Sequence, residues 1–292
     1  MGLQILSCVW GQKHINLFQK TALESLCWDK NKKALIEAQA IWTIVTDDVE
    51  AMKELTKHLP DPIYPIVNIR SMEEHRDYID QVQSASIWQM ERSVETRDKV
   101  LLAPPDTIFG DGTVANLLAA GKDDESVVVV PHARVLPSIL NEMDSFYLPV
   151  DNAPLVSLAW RHLHDAWVHA GRGHANQSSY VGGVEWWRVG NIIQGTHRLP
   201  SPYLIQFTKE DLLYFKSAIS FGHFDHMWPG DILIPRGRQR YLGSSDAAFI
   251  VEITEADKNV PPIIENQPKT GFWRDNLHNR NNAQIIFTFR GS

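Results

Sequence analysis

Four carboxylates, Asp47, Asp48, Asp106 and Asp111, have the type and position best suited to chemistry in this chain. Each falls at or just after the end of a predicted strand, on one edge of a predicted sheet. Open α/β sheets bind ligands beyond the carboxyl ends of their strands. Acids placed there can hold a divalent cation on a diphosphate or take the hydroxyls of a ribose. Asp is also a favoured turn and cap residue. For Asp111, before Gly112, helix capping and chemistry both stay open. For Asp106 the chemical reading leads, because a turn already made by Pro104 and Pro105 needs no further acid.

A second group lies in three later loops, QGTHRLP around His197, FGHFDH with Asp225, and GSSD ending at Asp246. A His or an Asp held there would serve as general base for an acceptor hydroxyl, with loop capping as the plain alternative. Arg134, after an apolar strand, could meet phosphates, as could the short run Arg236, Arg238 and Arg240. Trp10 sits beside Gly11 at the end of the first strand, where a base could stack. Trp186 and Trp187 are adjacent, so within a strand one must point away from the core and could serve as a ring platform. His162, His164, Asp165, His169 and His174 look like a metal site at first sight. No two of these histidines are four apart, however, and solvated or interfacial histidines are expected instead.

The elements that must position these residues alternate. Leu3 to Val9 reads as a strand buried on both faces, Ile15 to Leu26 as a helix, and Ala40 to Val45 as a second strand. A helix after Asp48 is followed by a proline-edged strand at Ile63 to Ile69 and a long helix over Ser71 to Arg97. Val100 to Ala103, a helix opened by Asp111-Gly112-Thr113, and the fully apolar Val127 to Val130 complete the repeat. Such alternation predicts a parallel sheet covered on both faces. Beyond Pro137 the pattern loosens. It predicts a helix over Pro154 to Ala170 and short strands at Glu185 to Ile193 and Tyr203 to Phe207. A helix capped by Thr208 follows, then strands at Asp231 to Ile234 and Ala247 to Ile253.

The 292 residues carry a net charge of −7 and 43% hydrophobic residues, which fits a large buried core and argues against a general polyanion-binding surface. Cys8 and Cys27 show no CxxC or Cys/His spacing, so reduced cytoplasmic thiols are expected. The opening stretch lacks a basic region followed by a long apolar one, so no signal peptide is expected, and no apolar run in the sequence approaches transmembrane length. No GxGxxG follows the first strand and no GxxxxGK[ST] occurs, which leaves Rossmann cofactors and P-loop chemistry unsupported.

The stretches LQILSCVWGQKHINLFQKTALESL, AIWTIVTDD and LLAPPDTIFGDG together resemble the glycosyltransferases of the A-type fold, over roughly residues 3–135. In that family an acidic D-x-D element holds a metal on the diphosphate of a nucleotide-sugar. Here Pro104-Pro105-Asp106 stands in its place and only the last Asp remains. The later half is similar to poorly characterised bacterial and phage glycosyltransferase-like proteins. The resemblance implies an α/β A-type fold, a mostly parallel central sheet flanked by helices, with an elaborated α+β C-terminal half. It implies a donor half at 1–136 and an acceptor-side half at 137–292 of the same domain. Trp10 and Asp47 would contact base and ribose. Asp106, with Asp111, would face the diphosphate or an Mn²⁺ or Mg²⁺ ion, and Arg134 would add charge. His197 or Asp225 would act as base, with Trp187 and Asp246 on the acceptor side. The acceptor could be a glycan, a small molecule or a modified DNA base, the last as in phage DNA glycosyltransferases. The rival reading is a non-catalytic nucleotide- or sugar-binding protein on a degenerate transferase fold.

Overall fold

All seven residues of β1 (Leu3–Val9) are buried, and the sheet is built outward from this strand. β1 pairs in parallel with β2 (Ile41–Thr46) on one side and β4 (Lys99–Leu102) on the other, and β2 pairs in parallel with β3 (Val67–Ser71). Strands from later in the chain extend the β4 edge: β6 (Val127–Val129), β10 (Pro202–Ile205) and β11 (Gln239–Tyr241). The order is β11-β6-β10-β4-β1-β2-β3, with β10 antiparallel to both neighbours and β11 parallel to β6. The computed structural model describes residues 2–74, 81–122, 127–145, 148–165, 167, 184–189, 192–197, 202–218, 239–256 and 283–288; for the strands at 184–189, 192–197 and 283–288 it describes the backbone path.

A second sheet lies against the first. It has the order β5-β12-β7, formed by Thr107–Phe109, Ile250–Ile253 and His132–Val135. Its side chains alternate as a strand requires. Ile108, Ala133, Val135, Val251 and Ile253 enter one core, shared with α7 (Ser138–Met143) and α8 (Asn152–Arg161). Phe109 and Ile250 point the other way, into the core of the main sheet beside Tyr203. Thr107, Arg134 and Glu252 share this second parity. A third sheet, antiparallel, has the order β13-β9-β8, from Ala283–Thr288, Ile192–His197 and Val184–Val189. The fold is thus mixed α/β with a mostly parallel central sheet flanked by helices.

Several boundaries differ from the sequence reading. Tyr64–Ile66 is a 3₁₀ turn, and its strand is Val67–Ser71; Pro65 lacks the N–H a ladder needs. The helix expected over Ser71 to Arg97 is a 3₁₀ turn at Met72–Glu74 and α5 at Gln81–Thr96. At that turn Ser71 Oγ accepts from Glu73 N and Glu74 Oε1 from Ser71 N. α8 starts at Asn152 and stops at Arg161, with Pro154 in its first turn. Asp231 to Ile234 lies outside the described residues. Thr208 caps α9 (Lys209–Ala218) as expected, its Oγ accepting from Asp211 N while Asp211 Oδ2 accepts from Thr208 N.

Two helices cap each other. Asp111 Oδ1 accepts from the backbone N–H of Lys30 and of Asn31, in the first turn of α3 (Asp29–Glu37). Asn31 Oδ1 returns the interaction, accepting from Gly112 N and Val114 N at the start of α6 (Thr113–Ala120). Asn31 Nδ2 then donates to the carbonyls of Ser25 and Gly110. Neither helix carries a side-chain cap from its own N-cap residue, so each depends on the other. Asp111 is 5% exposed and Asn31 fully buried, so a lost partner leaves unsatisfied buried N–H groups. We expect Asp111→Ala and Asn31→Ala each to cost ~1–3 kcal/mol. In a double-mutant cycle followed by urea unfolding, the two losses should couple by at least ~0.5 kcal/mol. Strictly additive losses would contradict a shared joint.

Candidate functional site

The carboxyl ends of β4, β1 and β2 lie side by side, because the three strands are parallel neighbours. At the end of β1 the chain turns through Trp10 and Gly11 into α1 (Gly11–Phe18). Gly11 has φ +70°, a conformation L side chains rarely adopt. Both Oδ atoms of Asp47, just past β2, accept from Gly11 N, at 2.9 and 3.0 Å. Asp47 therefore holds the β1–α1 turn from the next strand. Trp10 rests against His14, ring centroids 4.7 Å apart, and stays 40% exposed. Asp48 serves the fold instead, its Oδ1 capping α4 (Val49–Thr56) through Ala51 N.

Asp106 lies where the chain leaves the main sheet for the second one. Ala103 N donates to Leu6 O at the end of β4. Pro105 O accepts from Thr21 Oγ1, in the π-helical turn Gln19–Leu23 between α1 and the short α2 (Glu24–Leu26). Asp106 O accepts from Ile253 N. Across the second sheet Glu252 stands opposite Thr107 on one side and Arg134 on the other. Arg134 Nε lies 3.0 Å from Glu252 Oε1, both side chains half-buried. The fully buried Tyr203 packs edge-on against Phe109 and His132 nearby. Burial pushes the Asp106 carboxyl up to about 6, the charge of Glu252 adds to the rise, and Arg134 opposes it. Burial, then Glu252 and Asp106, raise the Tyr203 hydroxyl as well. Titratable groups perturbed by both desolvation and a charge partner concentrate at functional sites. Lys13 of α1 reaches Glu255, two residues past Ile253, at 2.8 Å, and so joins the Trp10 turn to this seam.

The sequence reading singled out Asp106 and Arg134 separately, and the second sheet brings them together with Glu252, which it missed. Glu252 is the one acid in the apolar run AAFIVEIT, and that exception was the available signal. Asp111 lies at the other end of β5, and its Oδ1 is engaged by Lys30 and Asn31. There it lines a cavity of about 680 Å³ with Lys30, Asn116, Asp151, Arg161 and Asp246. Asp246 is thus beside Asp111 rather than in the seam. Lys30 pairs with Asp151 across that cavity at 2.5 Å. His197 ends β9 and Trp187 lies in β8, but their side chains, like all of Asp225, lie outside the described residues. Arg236, Arg238, His169 and His174 lie outside them too. His162 joins α7 to the end of α8: Nδ1 meets Ser138 Oγ at 2.8 Å and Nε2 meets Glu142 Oε2 at 2.6 Å. His164 Nε2 lies 2.9 Å from Glu255 O. Cys27 is a half-buried free thiol whose acidity burial pushes up to about 12.

Among the described residues, no three His, Cys, Asp or Glu side chains come together to hold a metal ion. In the seam Asp106 has Glu252 as its neighbouring acid, and Glu252 is tied to Arg134. These residues do not fit a cation site built by protein groups alone. No helix among the described residues is long and apolar enough to cross a membrane.

No protein-family model and no curated protein matches the chain. Among solved structures, a Bacillus anthracis protein assigned as a glucose-1-phosphate thymidylyltransferase, solved with sucrose, aligns at TM-score 0.41 and 12% identity, covering 96% of both chains. A mannose-1-phosphate geranyltransferase from Thermus thermophilus aligns at TM-score 0.27 and 10% identity, covering 76% of this chain and 54% of that one. At such scores neither likeness bears on what this chain does.

The raised Asp106 carboxyl has a stability signature. Unfolded, it loses its proton near 3.8; folded, near 6. Between these values the native state binds more protons, so stability falls as pH rises from about 4 to about 6 and is level above. The cost at neutral pH is at most ~3 kcal/mol. Asp106→Asn should therefore raise the melting temperature at pH 7.5 and change it little at pH 4. Equal gains at both values would contradict the assignment.

Proposed function

We propose that this protein is a transferase that binds a nucleotide-sugar and passes its sugar to an acceptor hydroxyl. One observation carries the reading: the turn Trp10-Gly11, held by Asp47, and the group Asp106, Arg134 and Glu252 lie around the carboxyl ends of β4, β1 and β2. That is where an open parallel sheet receives a ligand.

In this reading the exposed face of Trp10 stacks on the base. Asp47 spends one lone pair per oxygen on Gly11 N–H and has others to accept from ribose hydroxyls. The Arg134 guanidinium faces the diphosphate, in the fork geometry that suits phosphate oxygens. Asp106, close to its titration point near neutral pH, donates or accepts a hydrogen bond at the sugar-phosphate linkage as its protonation allows. His197 or Asp225 is proposed as the base that takes the acceptor's proton, and Trp187 as an acceptor-side platform. A divalent ion would find Asp106 and the diphosphate's own oxygens, and no step here is routed through it. A second reading, binding without transfer, draws on Pro104, which stands where the related pattern has its first acid.

A thermal-shift panel of nucleoside diphosphates and nucleotide-sugars, with and without Mn²⁺, tests the reading. A ligand at 100 times its Kd stabilises by ~2.7 kcal/mol, which should raise the melting temperature by ~5–10 °C. If no nucleotide moves it, the proposal fails. With a donor found, Asp106→Asn should lower turnover at least ~100-fold while the donor shift persists. Donor binding with neither hydrolysis nor transfer across acceptors would favour the non-catalytic reading.

A further inference from the structure

Arg134 meets Glu252 through Nε, 3.0 Å from Oε1. The contact is an ion pair made on the Nε side of the guanidinium, while the two Nη groups carry four of its five N–H donors. Among the described residues no hydrogen bond engages them. Glu252 is itself fixed. It lies in the middle strand of its sheet, directly across the ladder from Arg134, with Val251 and Ile253 buried on either side. Both charged side chains remain partly exposed, at 33% and 21%, so the fork is held yet open to solvent.

Simple Coulomb reasoning makes Glu252 a liability here. It adds a second carboxylate to a seam that already holds Asp106, and two acids around one guanidinium repel an incoming anion. The contact geometry says otherwise. An arginine tied at Nε has lost most of the rotamer freedom that binding would otherwise have to remove. Its Nη edge is the one that grips phosphate in two parallel hydrogen bonds.

We infer that Glu252 is a positioning residue for phosphate recognition: it orients Arg134 by Nε so that the Nη pair is presented to the diphosphate of the bound nucleotide. The diphosphate's identity rests on the function proposed above; the orientation of Arg134 does not.

The two views predict opposite signs. Calorimetric titration of the whole chain with pyrophosphate would be compared for wild type, Glu252→Ala, Glu252→Gln, Glu252→Asp and Arg134→Lys. Removing a repelling charge should tighten binding, whereas removing an orienting acceptor should loosen it. We expect Glu252→Ala to weaken pyrophosphate binding ~10-fold and Arg134→Lys to weaken it at least as much. Glu252→Gln, which keeps an oxygen near Nε but removes the charge of the ion pair, should bind no more tightly than wild type, whereas the repulsion view has it tighten. Glu252→Asp keeps the charge but withdraws the acceptor, so it should behave like the Ala variant, and it serves if the Ala variant does not fold. Glu252→Ala or Glu252→Asp binding as tightly as wild type would overturn the inference, as would wild type failing to bind pyrophosphate. Wild type that binds pyrophosphate but no nucleotide, with the same order among variants, would sink the nucleotide reading and support the positioning role.

Discussion

The seam depends on the register of one short strand. β12 lies between β5 and β7, and its alternation decides what faces the main sheet. Ile250 and Glu252 point to that side; Val251 and Ile253 point to the helices. A slip of one residue would exchange the two sets, burying a carboxylate among Leu155, Val156 and Leu158 and turning two β-branched residues toward the polar seam. Burying an unpaired carboxylate is costly enough that the slipped state cannot compete. The same alternation in β5 and β7 puts Thr107 and Arg134 on the seam side. The hydrophobic pattern thus fixes the register, and the register delivers the ion pair.

That sheet is tied in turn to the start of the fold. Beyond β5 the chain passes Gly110, whose backbone must lie against Asn152; a Cβ there would stand 2.0 Å from Asn152 Oδ1. Asn152 accepts from Thr113 Oγ1, and Thr113 Oγ1 also accepts from Phe249 N, just before β12. On the other side of the same turn, Asp111 and Asn31 exchange caps between α6 and α3. These contacts span 39 to 136 residues of sequence and gather just past the carboxyl end of β5. Asp106 immediately precedes the other end of that three-residue strand.

Much of the first half was legible because its local signals agree with its tertiary role. The unbroken apolar run of β1, the Asp48 cap and the Thr208–Asp211 box all state locally what the fold then uses. Asp106 stands out in the sequence for another reason: an acid after two prolines has little local work to do. The misses share a cause. An antiparallel strand placed between β4 and β6 leaves no mark in PYLI, since a strand buried on both faces reads alike in either direction. Glu252 was visible as an exception in an apolar strand, but its partner Arg134 is 118 residues away and was joined to it only by pairing. Asp111 carried a cap signal that was sound in type and misleading in target, because its helix is not its own. Side-chain chemistry that works through long-range register is what one sequence conceals.

Asp106 and Glu252 contribute two acids and Arg134 one base, in a partly desolvated place. A fold selected for stability alone would replace Asp106, whose raised carboxyl costs free energy at neutral pH without anchoring a helix or a turn. Its backbone carbonyl serves Ile253, and its side chain meets its own backbone N–H and, at 3.5 Å, Thr107 Oγ1. An anion brought to the Arg134 fork would raise Asp106 further, since like charges at short range cannot both stay ionised cheaply. The acid would then take up a proton and become a donor toward the oxygen that raised it. In the proposed function, a carboxyl raised to about 6 beside the Arg134 guanidinium would answer a phosphate with both a charge and a proton, which a fully solvated aspartate, ionised throughout, would not supply.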